Sequence, residues 1–199
     1  MVRQKVEVRR EAILAATIEQ IEARGMATVR VADVAAALGV STGLIFYHFD
    51  TKNALIVAAL GYAVERDLSR LDRALSRSLA APDRLKRVLS SYGPTGSAPS
   101  WTLWIDAWAT ALREPTIRSA LRRLDDRWRA ALVGAVSDGV AAGDFVCADP
   151  RAAVARIGAL LDGLSVAVLV YRTVTRGQLR RWVREATASE LGLDPAALA

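Results

Sequence analysis

The sequence predicts an all-α fold, and three observations support this prediction. Hydrophobic residues make up 52 % of the 199 residues, whereas Gly and Pro number only 13 and 6, so we expect a folded core rather than disorder. Ala, Leu and Arg favour helices, while Phe and Tyr are scarce. Apolar residues also recur at helical spacing along most of the chain. Together these patterns predict about nine helices.

The first four predicted helices follow one another closely. Their ranges are 8–24, 31–38, a short helix after Ser41, and a long helix from about 52 to Pro82. Gly25 and Gly39 are expected to end the first two helices. Ser41 is placed to cap the third helix, and either Asp50 or Thr51 can cap the fourth.

Five more helices are predicted beyond Pro82. Their ranges are 82–92, 101–114, 116–143, 150–173 and about 178–191, with a flexible-looking loop at 93–100. Proline or glycine marks several of the helix ends, as at Pro115, Gly143 and Pro150. The sequence shows no strand pattern and no internal repeat.

Composition limits the chemistry that the chain can perform. The net charge of +6 permits nucleic-acid binding, although the first 52 residues are nearly balanced in charge. One cysteine, Cys147, and one histidine argue against a disulfide and a zinc site. We predict no metal, no cofactor and no catalytic residue, because no nucleophile–base pair is visible. No signal peptide or uninterrupted membrane-spanning apolar run is visible, so a cytoplasmic protein without membrane contact is expected.

The second and third helices have the lengths of a helix-turn-helix, with the turn at Gly39. Seven residues are predicted to form its inner seam: Val31, Val34, Ala35, Leu38, Val40, Ile45 and Phe49. Ser41, Thr42 and Gly43 would then lie at the exposed start of the third helix. Their hydroxyls and free amides suit DNA phosphates or base edges, assisted by the helix dipole.

Three further side chains carry donors suited to phosphate oxygens, namely Tyr47, His48 and Lys52. Phe46 could press on a thymine methyl group. The alternative is an ordinary packed helix whose aromatic rings fill the core, with His48 as a core histidine. Taken alone, these residues favour core packing for both Phe49 and His48.

The stretch ADVAAALGVSTGLIFYHFDTKNALI resembles the DNA-binding motif of the TetR (tetracycline-repressor) family, and the match covers residues 9–56. The matching positions are Val34-Ala35, Gly39-Val40-Ser41, Gly43, Phe46-Tyr47, His48-Phe49, Lys52 and Leu55. The resemblance implies a DNA-binding role for Ser41, Thr42, Gly43, Tyr47, His48 and Lys52. It also implies that the C-terminal domain binds a small effector and dimerises through its last two helices.

Two positions depart from the family pattern. Arg30 stands where the family commonly has the Ser or Thr that opens the second helix. Either Thr28 replaces it as the cap and the helix begins earlier, or the cap is lost and Arg30 reaches a phosphate. The second departure is Phe46, which lacks the hydroxyl of the more common Tyr.

The sixth helix combines aromatic residues with an acid, which suits a cationic ligand through cation–π attraction and charge pairing. Its candidate ligand residues are Trp104, Asp106 and Trp108, and Asp162 in the apolar eighth helix is a fourth. A tryptophan stripe in the core is the alternative, and Asp106 could equally face solvent. A carboxylate at Asp162 needs a partner, because burying an unpaired charge is costly.

The eighth helix is apolar on nearly every side and therefore needs partners around its circumference. A core would cover one side and a second subunit the other, so the predicted dimer-interface residues are Ile157, Leu161, Leu164 and Val168. The segments WTLWIDAW and LLDGL are similar to the TetR subgroup that includes the choline-responsive regulators of betaine synthesis. This weaker resemblance concerns the type of domain rather than the ligand.

The predicted function is a ligand-responsive transcriptional regulator, most simply a repressor, that binds a palindromic operator as a homodimer. Residues 1–52 would bind DNA, and residues 53–199 would bind the effector and dimerise. Effector binding would move the fourth helix and change the spacing of the two recognition helices, which must lie about 34–36 Å apart. The alternatives are an enzyme, for which no catalytic set is visible, and a ligand-binding dimer that has lost DNA binding.

Overall fold

The computed structural model describes residues 2–75, 79–92 and 101–198, and these ranges contain helices and no strand, which confirms the all-α prediction. The helices are α1 (Val2–Arg24), α2 (Val31–Leu38), α3 (Thr42–His48), α4 (Lys52–Leu75), α5 (Ala81–Tyr92), α6 (Trp101–Ala111), α7 (Pro115–Ala141), α8 (Pro150–Val166) and α9 (Arg176–Leu191). A π-helical turn, Ala167–Tyr171, continues α8, and a 3₁₀ helix, Pro195–Leu198, follows α9. The loop predicted at 93–100 lies outside the described residues.

Three of the predicted C-terminal helix ends differ from the structure by three residues or more. α6 ends at Ala111 rather than at 114, where the Arg118 guanidinium donates to the Ala111 and Leu112 carbonyls at 3.0 and 3.2 Å. The described part of α4 ends at Leu75, before Pro82. α8 gives way to the π turn, which ends at Arg172 in the left-handed conformation (φ 55°). For α6 and α8 the end depends on contacts or backbone geometry that helical periodicity does not encode.

Residue contacts divide the chain into two compact units. The first comprises Met1–Asp67 and Thr102–Leu124, and the second comprises Leu68–Trp101 and Asp125–Ala199. The predicted boundary after residue 52 therefore does not coincide with the division by contacts. The first unit also takes in most of α4, most of α6 and the start of α7.

The core of the first unit begins with the apolar stripe of α1. Ile13, Leu14, Ile18 and Ile21 are all buried, as the helical spacing predicted. Met26 and Val29, in the connection between α1 and α2, are buried as well. The α1–α2 connection is therefore anchored in the core by side chains on both sides of its turn.

The second unit is organised around the packing of α8 against α9. The Arg156 guanidinium on α8 donates to both carboxylate oxygens of Glu190 on α9, with a distance of 2.6 Å from Nε to Oε1. The Val146 amide, in the loop before α8, donates to the Leu191 carbonyl at 2.9 Å. These bonds fix both the beginning of α8 and the end of α9.

Within the described ranges, one helix, Pro150–Tyr171, is long and apolar enough to cross a membrane by length and composition. One third of its most apolar window is buried within the protein. Core helices of soluble proteins meet the same measure, so the expected absence of membrane contact stays a prediction.

Candidate functional site

The α2–α3 pair has helix-turn-helix geometry. The chain bends by 109° between α2 and α3, within the range of about 90–120° usual for this motif. Gly39 makes the turn in the left-handed conformation (φ 64°), and the Val40 amide donates to the Ala35 carbonyl at 3.0 Å. A residue with a β-carbon would be strained at this position.

The inner seam of the pair is formed largely as predicted. Val34, Ala35, Ile45 and Phe49 are buried, and the other three predicted seam residues are half-buried. Ile45 is fully buried, which fixes the rotation of α3 about its own axis. The burial of Phe49 confirms its interpretation as a core residue.

The opposite side of α3 is exposed to solvent. Ser41 caps the helix by accepting a hydrogen bond from the Leu44 amide at 3.2 Å, and Thr42 and Gly43 are exposed beside it. Further along the helix, 80 % of the Tyr47 side chain and 45 % of Phe46 are exposed. Phe46 therefore does not fill the core in the way that Phe49 does.

His48 lies between these two environments. The side chain is half-buried, and its ring packs edge-on against Tyr47 with centroids 5.4 Å apart and is tilted against Phe49 at 6.3 Å. His48 is therefore neither a fully buried core histidine nor a freely exposed one. Its contact with DNA stays a prediction.

Lys52 begins α4, and Thr51, rather than Asp50, caps that helix by accepting from the Ala54 amide at 3.0 Å. The Lys52 ammonium donates to the Ala27 carbonyl at 3.2 Å. This bond ties the start of α4 to the α1–α2 connection, a role that the sequence does not reveal. A phosphate contact by Lys52 stays a prediction.

Arg30 is the N-cap of α2, and no side chain caps the helix from this position. The prediction that Thr28 could replace it and lengthen α2 is wrong, because α2 begins at Val31. The Thr28 hydroxyl instead donates to the Arg24 carbonyl at the end of α1. Only the reverse half of a capping box is formed, in which Asp33 accepts from the Arg30 amide at 3.0 Å. The exposed Arg30 guanidinium agrees with the second alternative, loss of the cap.

One contact at this site could not be found from sequence. The Arg10 guanidinium of α1 lies 5.1 Å from the centroid of the Phe49 ring, in a cation–π arrangement. This places an exposed cation beside the last turn of α3. Sequence patterns do not reveal this pairing, because the two residues lie 39 positions apart.

The predicted ligand residues fall into both units. Trp104, Asp106 and Trp108 belong to the first unit, and Asp162 belongs to the second. Trp104 is buried, with 7 % of its surface exposed, whereas the other three are half-buried. The Asp106 carboxylate already accepts a hydrogen bond from the Met26 amide through Oδ2. Ligand contact by these four residues stays a prediction, and one oxygen of Asp106 has an internal partner.

The predicted dimer-interface residues divide into two groups. Ile157 and Leu161 are only 3 % and 1 % exposed, so they belong to the core of their own protomer, and assigning them to the interface is wrong. Leu164 and Val168 are half-buried and keep apolar surface that a second subunit could cover.

These features define a class of protein. An all-α chain that exposes a capped recognition helix beyond a 109° turn is a helix-turn-helix DNA-binding protein. The described residues contain no group of three or more His, Cys, Asp or Glu side chains that could hold a metal ion.

The comparisons with known proteins identify the family. Residues 13–59 match the bacterial regulatory proteins of the tetR family, and residues 81–192 match the C-terminal domain of BetI-type transcriptional repressors. The chain therefore belongs to the TetR family of transcriptional regulators, with a C-terminal domain of the BetI type. It is a regulator of transcription and not an enzyme.

Individual relatives agree with this assignment. The HTH-type transcriptional regulator BetI of Pseudomonas paraeruginosa is 30 % identical over 165 residues, 79 % of each chain. A protein from Saccharomonospora viridis, described as a transcriptional regulator and solved in complex with choline, is 28 % identical with a TM-score of 0.84, covering 93 % of this chain and 98 % of its own. A TetR-family regulator from Rhodococcus sp. is 30 % identical with a TM-score of 0.77, covering 91 % of this chain and 97 % of its own.

Proposed function

We propose that this regulator represses transcription by binding a near-palindromic operator as a homodimer, and that a small effector releases it. Residues 1–52 carry the DNA contacts, and residues 53–199 carry effector binding and dimerisation. The protein acts in the cytoplasm, where the DNA is, without membrane contact.

The exposure of Tyr47 is the observation that carries the DNA-binding proposal. A phenol ring that is 80 % exposed on a seven-residue helix contributes little to the core of its own protomer. On a recognition helix, the same ring and hydroxyl can reach a phosphate oxygen beside the major groove. Arg30, Ser41, Thr42, Gly43, Phe46, His48 and Lys52 are the other proposed DNA contacts.

The proposed effector is a small organic cation, and choline is the first compound to test. Trp104 and Trp108 can offer aromatic faces to a quaternary ammonium group. The choline complex of the relative from Saccharomonospora viridis supports this choice of chemistry. Because that relative is only 28 % identical, the choice of choline is a proposal for this chain.

The test uses the purified full chain and DNA from directly upstream of its own gene, measured by fluorescence anisotropy at two salt concentrations. We expect saturable, salt-sensitive binding. Tyr47→Phe, which removes only the hydroxyl group, should weaken binding by about tenfold, as expected for loss of a hydrogen bond to a charged group. Tyr171→Phe is the matched control, because Tyr171 is 70 % exposed but lies in the second unit.

The outcomes separate the parts of the proposal. Absence of saturable binding by the wild-type protein would overturn the repressor function. Equal affinities of Tyr47→Phe and wild type would overturn the phosphate contact of the Tyr47 hydroxyl. Binding that millimolar choline does not weaken would leave the repressor in place and exclude choline as the effector.

A further inference from the structure

The connection between α1 and α2 is held at two consecutive residues by side chains from two other helices. The Met26 amide donates to Oδ2 of Asp106 on α6. The carbonyl of the next residue, Ala27, accepts from the Lys52 ammonium of α4 at 3.2 Å. The Met26 amide and the Ala27 carbonyl therefore both have charged partners, which form stronger hydrogen bonds than neutral ones.

The local backbone is shaped to present the Met26 amide to Asp106. Gly25 adopts the left-handed conformation (φ 86°) after its own amide has bonded to the Ile21 carbonyl at 2.7 Å. In a Schellman end, the amide after such a glycine bonds back to its own helix. Here the amide of Met26 bonds to a residue 80 positions away. A β-carbon on Gly25 would lie 3.4 Å from Oδ2 of Asp106, so the carboxylate rests against the glycine.

Asp106 is held in place by a helix rather than by a loop. It lies in the middle of α6, and the Arg118 guanidinium fixes the end of that helix through the Ala111 and Leu112 carbonyls. A displacement of α6 along or about its axis would therefore carry the carboxylate away from Met26. The turn would then lose the acceptor of an amide beside the buried Met26 side chain.

The conformation of this turn determines the orientation of α2 relative to α1. Asp33, in the first turn of α2, accepts from the Arg30 amide and lies 3.7 Å from the Arg24 guanidinium at the end of α1. Because α3 packs against α2 along the buried seam, the orientation of α2 determines that of the recognition helix α3. Any change of the turn at Met26 would therefore change how α3 is presented.

We propose that Asp106 is a positioning residue for DNA binding. Its carboxylate holds the α1–α2 turn through the Met26 amide, so that the orientation of the helix-turn-helix depends on the position of α6. This gives Asp106 a role in operator binding that does not depend on ligand contact. The proposal rests on the proposed repressor function, because operator affinity is its main readout.

The test compares Asp106→Ala, which removes the acceptor, with Asp106→Asn, which keeps a carbonyl oxygen that can accept from Met26. Without the acceptor, the α1–α2 turn samples other orientations. The apparent affinity for operator DNA then falls in proportion to the fraction of molecules whose helix-turn-helix is oriented for binding. We expect Asp106→Ala to bind operator DNA about tenfold more weakly and Asp106→Asn to stay within about threefold of wild type. The control is Asp125→Ala, which removes an acid whose pair with Arg129 (2.7 Å) lies within α7, and it should bind as wild type does.

A second measurement does not depend on DNA. Amide hydrogen exchange of the wild-type protein should show Met26 protected, and Asp106→Ala should lose this protection while the core amides of α1 keep theirs. Equal operator affinity of Asp106→Ala and wild type overturns the proposal, and so does an unprotected Met26 amide in the wild-type protein. If Asp106→Ala does not fold, the proposal is tested by hydrogen exchange of the Met26 amide in the wild-type protein and by the operator affinity of Asp106→Asn. A wild-type protein that does not bind the operator refutes the proposed function, whereas the exchange experiment still tests the contact.

Discussion

Arg30 occupies a position at which its side chain cannot do what a serine would do. An arginine has no acceptor, so it leaves the first amides of α2 without a side-chain cap, and only Asp33 contributes to the box. Such a loss commonly costs about 1 kcal/mol. Arg30 places an exposed cation at the N-terminus of α2, next to α3. A contact between this cation and a DNA phosphate would explain why an arginine, rather than a capping serine, occupies the position.

Replacing Arg30 separates these two effects. Arg30→Ser restores a cap and should raise the free energy of unfolding by about 1 kcal/mol, whereas Arg30→Ala should not. Both variants should bind operator DNA more weakly and show a salt dependence that is lower by about one counterion. Chemical unfolding and DNA titrations at several salt concentrations measure the two properties. An unchanged salt dependence in both variants would exclude the phosphate contact.

Two glycines of α7 have opposite surroundings and predict opposite effects of the same substitution. A β-carbon at Gly139 would lie 2.3 Å from the ring of the buried Phe145, whereas one at Gly134 would meet nothing within 4 Å. Gly134→Ala should stabilise the protein by about 1 kcal/mol through helix propensity. Gly139→Ala should destabilise it, because overpacking costs about 1–3 kcal/mol and exceeds that gain.

Thermal and chemical unfolding of the two variants side by side check this prediction. Both substitutions add one methyl group to the same helix, so their difference reports the contact with Phe145. Equal stabilisation by Gly139→Ala and Gly134→Ala would show that Phe145 does not pack against α7 as described.

At the scale of the helices, the sequence predicted most accurately the helix ends and turns that depend on residues close together in the chain. The range of α2, the cap at Ser41 and the turn at Gly39 were all predicted, because each depends on side chains within a few positions. The end of α6 was not, since it depends on Arg118 from the next helix. The π turn after α8 leaves the apolar periodicity almost unchanged, and periodicity alone therefore predicted a continuous helix to 173.

The pairing of α8 with α9 should depend on pH through Glu190. Hydrogen bonds from Arg156 hold the pKa of this carboxyl below its ordinary value of 4.5, and partial desolvation opposes the shift only in part. Because the pKa is lowered in the folded state, the pair stabilises the fold above pH 4.5. That contribution is lost as the pH falls through the folded-state pKa, since the unfolded chain binds the proton first.

We therefore expect Glu190→Gln to be less stable than wild type at neutral pH and to approach it progressively below about pH 4. Denaturant unfolding at a series of pH values measures the difference. Glu185→Gln is the control, because it removes the same charge from an exposed pair within α9, at 3.7 Å from Arg181. A gap between wild type and Glu190→Gln that persists at low pH would contradict the assignment.

For the whole molecule, the DNA-binding region could be read from sequence in far more detail than the ligand residues. The helix-turn-helix is a local unit with a recognisable order of small, polar and aromatic residues. The bond between Asp106 and Met26 joins residues 80 positions apart, and no local pattern encodes it. The sequence identified Asp106 only as an acid among the tryptophans of the sixth helix, facing either a ligand or solvent, and the fold supplies its partner.

The same limit applies to α8. Its apolar surface predicted contacts with both the core and a second subunit, but not which side of the helix makes each contact. Ile157 and Leu161 are buried within their own protomer, whereas Leu164 and Val168 keep part of their apolar surface exposed. Ala159 and Gly163 are small, exposed residues of α8 close to Leu164 in sequence. Their size would allow a second helix to approach closely. In the proposed homodimer a second copy of the same helix would cover this surface, since closed two-fold symmetry is the commonest arrangement of soluble oligomers.

A charge placed on this surface tests the homodimer directly. We expect the wild-type protein to have a mass of twice 21.4 kDa in sedimentation velocity experiments. Leu164→Arg should give monomers, because dimerisation would bury an unpaired charge among apolar groups. Val146→Arg is the control, since Val146 is 76 % exposed in the loop before α8 and should leave the mass unchanged. The monomeric variant should bind operator DNA at least a hundredfold more weakly, because it loses the second half-site while its helix-turn-helix stays intact. A dimer of Leu164→Arg with wild-type operator affinity would place the interface elsewhere.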